Sequence, residues 1–547
     1  MPETILQLDP RDNVLVALTT LDLGTQIRFG PAESPASFMV TQTIPAKHKM
    51  AIKDLKPGDL IFMYGMVVGE VVEAIPRGGL LTTRNIRHRA ADYTAARHPA
   101  VHAVPDASAW AARTFMGYHR ADGQVGTRNY WIVLPLVFCE NRNVENMREA
   151  LEEELGYGSA NSSYRQHVRE LIQRQGNGHA ATEMVATAKR ERVFPNLDGV
   201  RFLPHQGGCG GTRQDSQALC GLLAGYIHHP NVAGATVLSL GCQNAQANIL
   251  MEELRTRDPQ LRKPVVIVDQ QSSGRESALM EQALDKTFAG VAEANRVQRA
   301  PAPLSALTIA LQCGGSDGFS GISANPTVGY ASDLVVGAGG TTILSEFPEL
   351  HGVEQELINR CTTDELAQRF RDLMQAYAAS ARAVNSDFAF NPSPGNIRDG
   401  LITDAIKSAG AARKGGASPI SGVLDYPEYV SARGFNLQCT PGNDVESVTA
   451  QVGAGSNIVL FTTGLGTPTG NPIAPVVKIS TNTTTGERMS DIIDFDAGLI
   501  VRGESTIKDS GERLLELAIQ VASGDRLTKS EVNGQNDFIP WKRGVSL

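Results

Sequence analysis

Continuous apolar runs, in which polar and apolar residues do not alternate, constrain the fold of this chain more than any other feature. Helical periodicity at residues 143–154, 164–174 and 363–381 separates several of them. Strands buried on both faces of a parallel sheet have such runs, because helices cover both sides of the sheet. The pattern therefore predicts α/β domains with largely parallel sheets. The runs cover residues 131–138, 200–203, 235–240, 265–268, 304–311, 334–336, 342–344 and 457–461.

The first 85 residues have a different character and predict a small β domain. Residues 13–18 and 60–64 are short apolar runs of strand-favouring residues, with turn sequences at 56–59 and 76–79. A chain of 547 residues is too long for one core. We predict a β domain at 1–85, a linker at 86–116, and two α/β domains at 117–300 and 301–547.

Composition excludes several classes of partner. The net charge of −8 disfavours nucleic acid and membrane surfaces, and no apolar run approaches the length of a membrane span. The N-terminus lacks the basic-then-apolar pattern of a signal peptide. Seven scattered cysteines do not suggest a disulfide framework. These features predict a cytoplasmic protein without nucleic-acid or membrane partners.

Three loops, two of them glycine-rich and one with prolines and polar side chains, are candidates for a binding site. One follows the run at 304–311 and contains Cys313, Ser316, Asp317 and, further on, Asn325. The other two, at 391–396 and 462–470, contain Asn396 and Thr467. Glycines expose backbone N–H groups that can hold a carboxylate or phosphate, and ligands of open α/β sheets bind where such loops follow strands. Each loop alone is more often a solvated turn, but three of them in one chain favour a binding site.

Four cysteines, at positions 139, 209, 242 and 313, follow apolar runs. If those runs are neighbouring strands of one sheet, the thiols converge at one edge, and His205 could join them around a metal. The alternative is that they are small buried hydrophobic residues. No CxxC pair strengthens the metal hypothesis.

Few charged residues stand near these loops. Arg128 precedes an apolar run and could pair bidentately with a carboxylate, although a surface ion pair is the alternative. Lys407 and Lys478 could act as base or anion ligand, but most lysines are solvated. His48 lies between strands of the first domain, where a histidine is usually structural.

Together the motifs resemble the altronate/galactarate dehydratase family over nearly the whole chain. The resemblance is carried by DNVLVAL, HKMAIKDLKPGD, DGQVGTRN, GGCGG, LSLGCQNAQ, CGGSDGFSGISANPTVGYASD, NPSPGN, TPGND, TTGLGTPTG, DFDAG and GVSL. It implies an N-terminal SAF-type β domain before an α/β catalytic region. It also implies a hydro-lyase that converts a sugar acid to a 2-keto-3-deoxy acid, activated by Fe²⁺ or Mn²⁺.

Such a reaction removes a weakly acidic proton α to a carboxylate and expels the β-hydroxyl. It needs a base, an acid, and positive charge to stabilise the enediolate. The substrate is a small anionic hydroxy acid, and a homo-oligomer is left open. We assign acid–base roles to Asp317 and Lys407. Assigned to the metal are His48, His205, Cys209, Cys242 and Cys313, and to the substrate Arg128, Asn129, Ser316, Asn325, Asn396, Thr467 and Lys478.

Departures from the family pattern leave the substrate open. A VHxHN-type segment of the family reads LLTTRN at residues 80–85, without histidine. Leu465 and Thr469 replace an Arg and a Tyr in the TGRGTPYG loop, and an acidic, histidine-bearing segment reads GGTRQDS at 210–216. Alternatives are therefore a lyase of another 2-hydroxy acid, such as a sulfolactate-type sulfo-lyase, and a non-catalytic sugar-acid-binding relative. An Fe–S dehydratase with cysteine ligands is a further alternative.

Overall fold

The structure, a computed structural model, describes residues 4–30, 36–94, 96–99, 103–158, 162–174 and 191–547. Its N-terminal part consists of three small antiparallel sheets with the orders β1-β2-β5, β3-β4 and β6-β7-β8. The runs at 13–18 and 60–64 form β2 and β6, which confirms the predicted β unit. The strands are β1 Ile5–Leu6, β2 Val14–Ala17, β3 Gln26–Phe29, β4 Ala36–Met39, β5 Lys49–Ala51, β6 Leu60–Met63, β7 Met66–Val71 and β8 Ile86–Arg87.

The second part is a four-stranded parallel sheet in the order β12-β11-β13-β14. Each residue of β11 is buried, as expected for a central strand between helices. Its elements begin with β9 Thr114–His119 and β10 Val125–Gly126, which pair outside this sheet. They continue with β11 Tyr130–Pro135, α1 Asn141–Glu154, α2 Ser162–Arg174, β12 Gly199–Phe202, α3 Arg213–His228, β13 Val232–Ser239, α4 Ala247–Arg257, β14 Val265–Asp269, α5 Gln270–Ser273 and α6 Glu276–Ala294.

The third part is a parallel sheet of seven strands in the order β18-β19-β17-β16-β20-β21-β22. Strand β15, Ala300–Pro303, first returns to pair with β9 and links the two parts. The sheet strands are β16 Thr308–Cys313, β17 Thr341–Leu344, β18 Ile420–Leu424, β19 Gly434–Gln438, β20 Ile458–Thr463, β21 Val476–Ser480 and β22 Phe495–Asp496. The helices are α7 Ala324–Gly337, α8 Glu354–Arg360, α9 Asp364–Ala383, α10 Pro394–Arg398, α11 Asp404–Ala412, α12 Asp444–Gly453, α13 Thr483–Arg488, α14 Ile507–Ser523 and α15 Lys529–Val532.

The order of the strands places a crevice beside β16. The chain runs from β16 to β17 on one side, whereas β20, the other neighbour of β16, connects to β21 on the opposite side, so the loops after β16 and β20 leave in opposite directions. Loops that diverge in this way open a crevice at the carboxyl ends of the strands, where ligands of α/β sheets bind. The glycine-rich loop after Cys313 lies there.

Most of the predicted elements are confirmed, and one is wrong. The predicted helices correspond to α1, α2 and α9, with bounds shifted by a few residues. The run at 334–336 is not a strand but the end of α7. Its buried residues Val328, Ala331, Leu334 and Val335 recur at helical spacing, and a three-residue window cannot reveal that period.

The predicted linker is packed rather than free where the structure describes it. The Thr94 backbone N–H donates to Gln355 Oε1 at 3.0 Å, and the His98 N–H donates to Asn359 Oδ1 at 2.9 Å. The predicted domain boundaries themselves stay predictions. Within the described ranges, no helix combines the length and apolar character that crossing a membrane requires.

Candidate active site

A buried group of acids and lysines lies at the carboxyl end of β16. We call Cys313, Glu346, Glu349, Lys407 and Lys414 the acid–lysine cluster. Cys313 ends β16, and the two glutamates follow the neighbouring strand β17. Both lysines come from the region of α11 and the 3₁₀ turn after it, which packs over this edge. Strand pairing and the packing of α11 therefore bring together residues that are about a hundred positions apart.

Ion pairs and hydrogen bonds connect the acid–lysine cluster. Lys414 Nζ lies 2.7 Å from Cys313 Sγ and 2.9 Å from Glu346 Oε2. Lys407 Nζ lies 2.7 Å from Glu349 Oε1, and the Cys313 thiol is 3.4 Å from Glu349 Oε2. Glu346 has a φ of 65°, an unusual value for a residue other than glycine. Such strain is characteristic of functional sites, where the surrounding structure holds it in place.

Burial and charge oppose each other in this cluster. Burial alone would lower the pKa of Lys407, but the adjacent Glu349 carboxylate outweighs it and raises the pKa. For Glu349 burial acts to raise the pKa, yet the two lysines lower it overall. The pKa of Glu346 is raised by burial despite the presence of Lys414. Lys407 is therefore a permanent cation at neutral pH, and its side chain is 9% exposed.

Asp444, the first residue of α12, stands beside this cluster and is only partly buried. Burial and the nearby Glu346 and Glu349 raise its pKa to about 8. At neutral pH it consequently carries a proton that it can give to a ligand. Gly314 contacts it so closely that a Cβ at that position would collide with the Asp444 carboxylate.

A second charged group lies at the other end of the glycine-rich loop. Lys47, from the N-terminal β unit, pairs with Asp317 Oδ2 at 3.0 Å and Asp399 Oδ1 at 2.8 Å. Burial alone would lower the pKa of Lys47, but both carboxylates outweigh it and the pKa rises. Lys47 has a φ of 73°, a second strained residue in this region. The β unit therefore contributes a side chain to the site.

All three loops predicted from the sequence converge here. Asn396 Nδ2 donates to the Ser316 carbonyl at 2.7 Å, and Asn391 Oδ1 accepts from Lys407 Nζ at 2.9 Å. The loop at 462–470 contacts both ends of the 313–318 segment. A Cβ at Gly315 would lie 2.7 Å from Thr467 Oγ1, and one at Gly464 would collide with Asp317. Glycine is required at these close approaches.

The remaining residues assigned to the substrate lie apart or behind the loops. Asn325 is buried and joins α7 to the Gly410 carbonyl. Arg128 and Asn129 precede β11, at the amino end of the other sheet. Both are buried and bonded to protein groups, so this placement gives their predicted role no support. Lys478 is buried within β21, where its Nζ donates to Gln535 Oε1 at 3.0 Å.

The five residues assigned to a metal do not form one group. The strands before Cys139, Cys209 and Cys242 belong to the four-stranded sheet, whereas Cys313 follows a strand of the seven-stranded sheet. The premise that all four cysteines share one sheet edge is therefore wrong. Both ring nitrogens of the buried His205 are engaged, by the Pro135 carbonyl and the Gly207 N–H. His48 Nδ1 lies 3.2 Å from the Ala46 carbonyl oxygen.

Two other sets of residues have three candidate ligand atoms within 4.8 Å of one another in the described part of the chain. Cys313, Glu346 and Glu349 form one of them. Lys414 Nζ contacts both Cys313 and Glu346, so an ammonium group already supplies the positive charge there. This set does not fit a divalent metal. The other set is His88, His351 and Asp404.

Sequence reasoning missed Lys47, Glu346, Glu349, Lys414 and Asp444. Glu346 follows an apolar run in the same way as Cys313, so the rule that selected Cys313 could have selected it. Asp444 lies in the quoted TPGND motif but was not assigned a role. Lys414 has no local signal, because only the packing of α11 brings it to the sheet edge.

Comparisons with known proteins agree with this architecture. The profile of the altronate/galactarate dehydratase SAF domain matches residues 3–89. That of the D-galactarate dehydratase/altronate hydrolase second domain matches 117–295. That of the D-galactarate/altronate dehydratase C-terminal region matches 304–546. The SAF-type domain implied by the sequence resemblance is confirmed.

Individual relatives match over long spans. An altronate dehydratase of Bacillus subtilis is 32% identical over the whole of both chains. A galactarate dehydratase (L-threo-forming) of Escherichia coli is 31% identical over 96% of this chain and 94% of its own. The beta subunit of a (2R)-sulfolactate sulfo-lyase from Chromohalobacter salexigens is 30% identical over 78% of this chain and 97% of its own. The chain therefore belongs to the altronate/galactarate dehydratase family.

Proposed function

We propose that the crevice beside β16 removes water from an aldonic or aldaric acid to give a 2-keto-3-deoxy acid. Family membership makes the chain a sugar-acid dehydratase, a carbon–oxygen lyase. The observation that supports this site is the acid–lysine cluster with Asp444, whose pKa is raised to about 8, beside it, where the loops at 313–318, 391–396 and 462–470 meet. These features supply the cation and the acid that the reaction needs.

The roles of the residues follow from their charges. Lys407, a cation near the surface of the cluster, pairs with the substrate carboxylate and stabilises the enediolate that forms when the α-proton leaves. That proton passes to Asp317, which Lys47 and Asn482 hold in place. The C–H electron pair first forms the enediolate double bond between Cα and the carboxylate carbon. That pair then shifts to form the Cα–Cβ double bond of the enol as the β-C–O bond breaks. Asp444 protonates the departing hydroxyl, and the enol tautomerises to the keto acid.

These assignments refine the sequence hypothesis for Lys407. A base must be unprotonated, but Glu349 raises the pKa of Lys407. We therefore assign it the role of cation and keep Asp317 as the base. The dependence on Fe²⁺ or Mn²⁺ stays a prediction, and Cys313 has no place as its ligand because Lys414 contacts the sulfur.

Sulfite elimination from a sulfonated 2-hydroxy acid is the second candidate. It uses the same proton abstraction, and the relative from C. salexigens is named for such a reaction. Leu465, which replaces an Arg of the family pattern, lies against Gly315 in the glycine-rich loop. An apolar residue there alters how the site recognises the second charged end of a substrate.

A panel of C3–C6 hydroxy acids, including aldonic acids, aldaric acids and sulfolactate, tests the proposal. The assay is anaerobic, with and without Fe²⁺ or Mn²⁺, and measures 2-keto acid and sulfite. We expect keto acid from a sugar acid, and at least a hundredfold lower kcat in Lys407→Met, whereas the exposed Lys286→Met retains it. Sulfite release would favour the second candidate. Binding by calorimetry without product would indicate a non-catalytic relative and overturn both.

A further inference from the structure

A cavity of about 710 Å³ lies between the segment after β8 and the third part of the fold. Its lining is partly charged and includes His88, Tyr93, His351, Glu354, Arg382 and Asp387. His88 follows β8, and His351 follows the 3₁₀ turn that contains Glu349. Two histidines from distant parts of the chain therefore meet on the wall of one cavity.

Asp404 completes a group of three with these histidines. His351 Nδ1 lies 2.9 Å from Asp404 Oδ2, and the two imidazole rings stack with centroids 4.9 Å apart. His88 Nδ1 faces the start of the same helix, 3.4 Å from the backbone nitrogen of Ala405. One ligand atom from each of the three residues lies within 4.8 Å of the others. That spacing suits a single ion bound between them.

One carboxylate oxygen of Asp404 accepts no hydrogen bond from the described residues. Its side chain is fully buried, yet Oδ1 has no hydrogen-bond partner. A buried carboxylate oxygen without a partner is costly, and native structures usually satisfy it with water or an ion. Among the residues that the structure describes, its one ion-pair partner is His351, so no ammonium group takes the place of a metal as Lys414 does at Cys313.

We propose that His88, His351 and Asp404 bind one divalent transition-metal ion at the wall of this cavity. Two imidazoles and one carboxylate are the ligand set of non-haem Fe²⁺ sites, and Mn²⁺ accepts similar ligands. Three protein ligands would leave further coordination positions, which water or a small oxygen-donor anion from the cavity could fill. The site does not rest on the proposed dehydration, since it requires only these three side chains.

Binding of Mn²⁺ to the full chain tests this site directly. The protein is freed of metal with a chelator, titrated with MnCl₂ without substrate, and the free Mn²⁺ is measured by its EPR signal. We expect one bound ion per chain in the wild type. Removing one of three ligands should weaken binding by at least about tenfold in His88→Ala and His351→Ala. His98→Ala, which removes an exposed imidazole from the same segment, and Cys313→Ser should bind as the wild type does.

Three results would overturn the proposal: no Mn²⁺ bound by the wild type, unchanged binding in both histidine variants, or loss of binding in Cys313→Ser. Circular dichroism checks that each variant is folded. If His351→Ala unfolds, His88→Ala decides alone, because His88 is half-buried at the edge of the cavity. Inactivity toward every acid in the panel would contradict the proposed dehydration, but it would not affect the measurement of Mn²⁺ binding.

Discussion

Replacing Arg128 by Met separates a structural role from a substrate-binding role. Arg128 Nε and Nη2 donate to Glu531 at 2.6 and 2.9 Å, and Nη1 donates to the carbonyls of Thr127 and Val521 at 2.7 and 2.8 Å. The Arg128 side chain is 1% exposed. It joins the start of β11 to α14 and α15, so it holds the second part of the fold against the third.

The expected loss of stability in Arg128→Met follows from the carboxylate that loses its partner. Methionine has a similar length but leaves the Glu531 carboxylate, which is 12% exposed, without its cation. The two carbonyls keep other donors, Arg299 Nη2 for Thr127 and the Gly524 N–H for Val521. Removing one partner of a buried pair costs about 3–5 kcal/mol. For a cooperative unit of 150–250 residues, that cost lowers Tm by about 6–20 °C. The double variant Arg128→Met/Glu531→Gln should lose less than the two single variants summed, since no charge is stranded.

Thermal unfolding by calorimetry, with steady-state kinetics on the same samples, measures both effects. Arg142→Met is the matched control, because Arg142 is 73% exposed and pairs with Glu276 at the surface. Such pairs contribute about 0–1 kcal/mol. We expect a large fall in Tm for Arg128→Met with an unchanged KM. A Tm equal to that of the control, or a tenfold rise in KM at unchanged Tm, would refute the structural interpretation.

Three further predictions concern titration and packing. Asp444→Asn should lower kcat by about 10²–10⁴-fold, and should abolish the decline in kcat/KM expected as pH rises through about 8; persistence of that decline would exclude Asp444 as the acid. Burial lowers the pKa of Lys478 to about 8, so between there and the unfolded value near 10.5 the unfolded chain binds more protons. Stability relative to Lys478→Met should therefore rise with pH by up to about 3 kcal/mol, measured by denaturant unfolding at pH 7 and 10, and a constant difference would contradict this. Gly464→Ala should displace Asp317 and abolish turnover, whereas Gly158→Ala, at an open position, should be silent in the same assay.

Sequence patterns predicted the sheets well because a strand buried on both faces needs a continuous apolar run, which is easy to recognise in the sequence. Residues 131–138 and 457–461 became strands β11 and β20 within a few positions. The prediction of a strand at residues 334–336 was wrong because this run of three residues is too short to distinguish the two kinds of element. At that length a strand and one turn of a buried helix have the same composition, and the deciding contacts of α7 lie outside the window.

The site was only partly predictable, and the reason is topological. The end of a strand can be recognised in the sequence where an apolar run stops. The loops that meet at the crevice could therefore be found from their glycine and polar residues. Which strands share a sheet is decided by long-range pairing, and the cysteine hypothesis failed at that step. Lys407 was selected because it lies near a loop in the sequence, whereas Lys414 reaches the edge only through the packing of α11 and the turn after it, for which the local sequence contains no signal.

The balance of charge in the crevice imposes a condition on any anionic substrate. The two charged groups of the crevice contain the ammonium groups of Lys47, Lys407 and Lys414. These face the carboxylates of Asp317, Asp399, Glu346 and Glu349, so the groups together are slightly negative before a substrate arrives. An ionised Asp444 would add a further negative charge at the cluster and repel a carboxylate. The upward shift of its pKa to about 8 removes that charge at neutral pH. The same proton that the departing hydroxyl needs is thus also the one that lets the substrate bind, which couples binding and elimination to a single side chain.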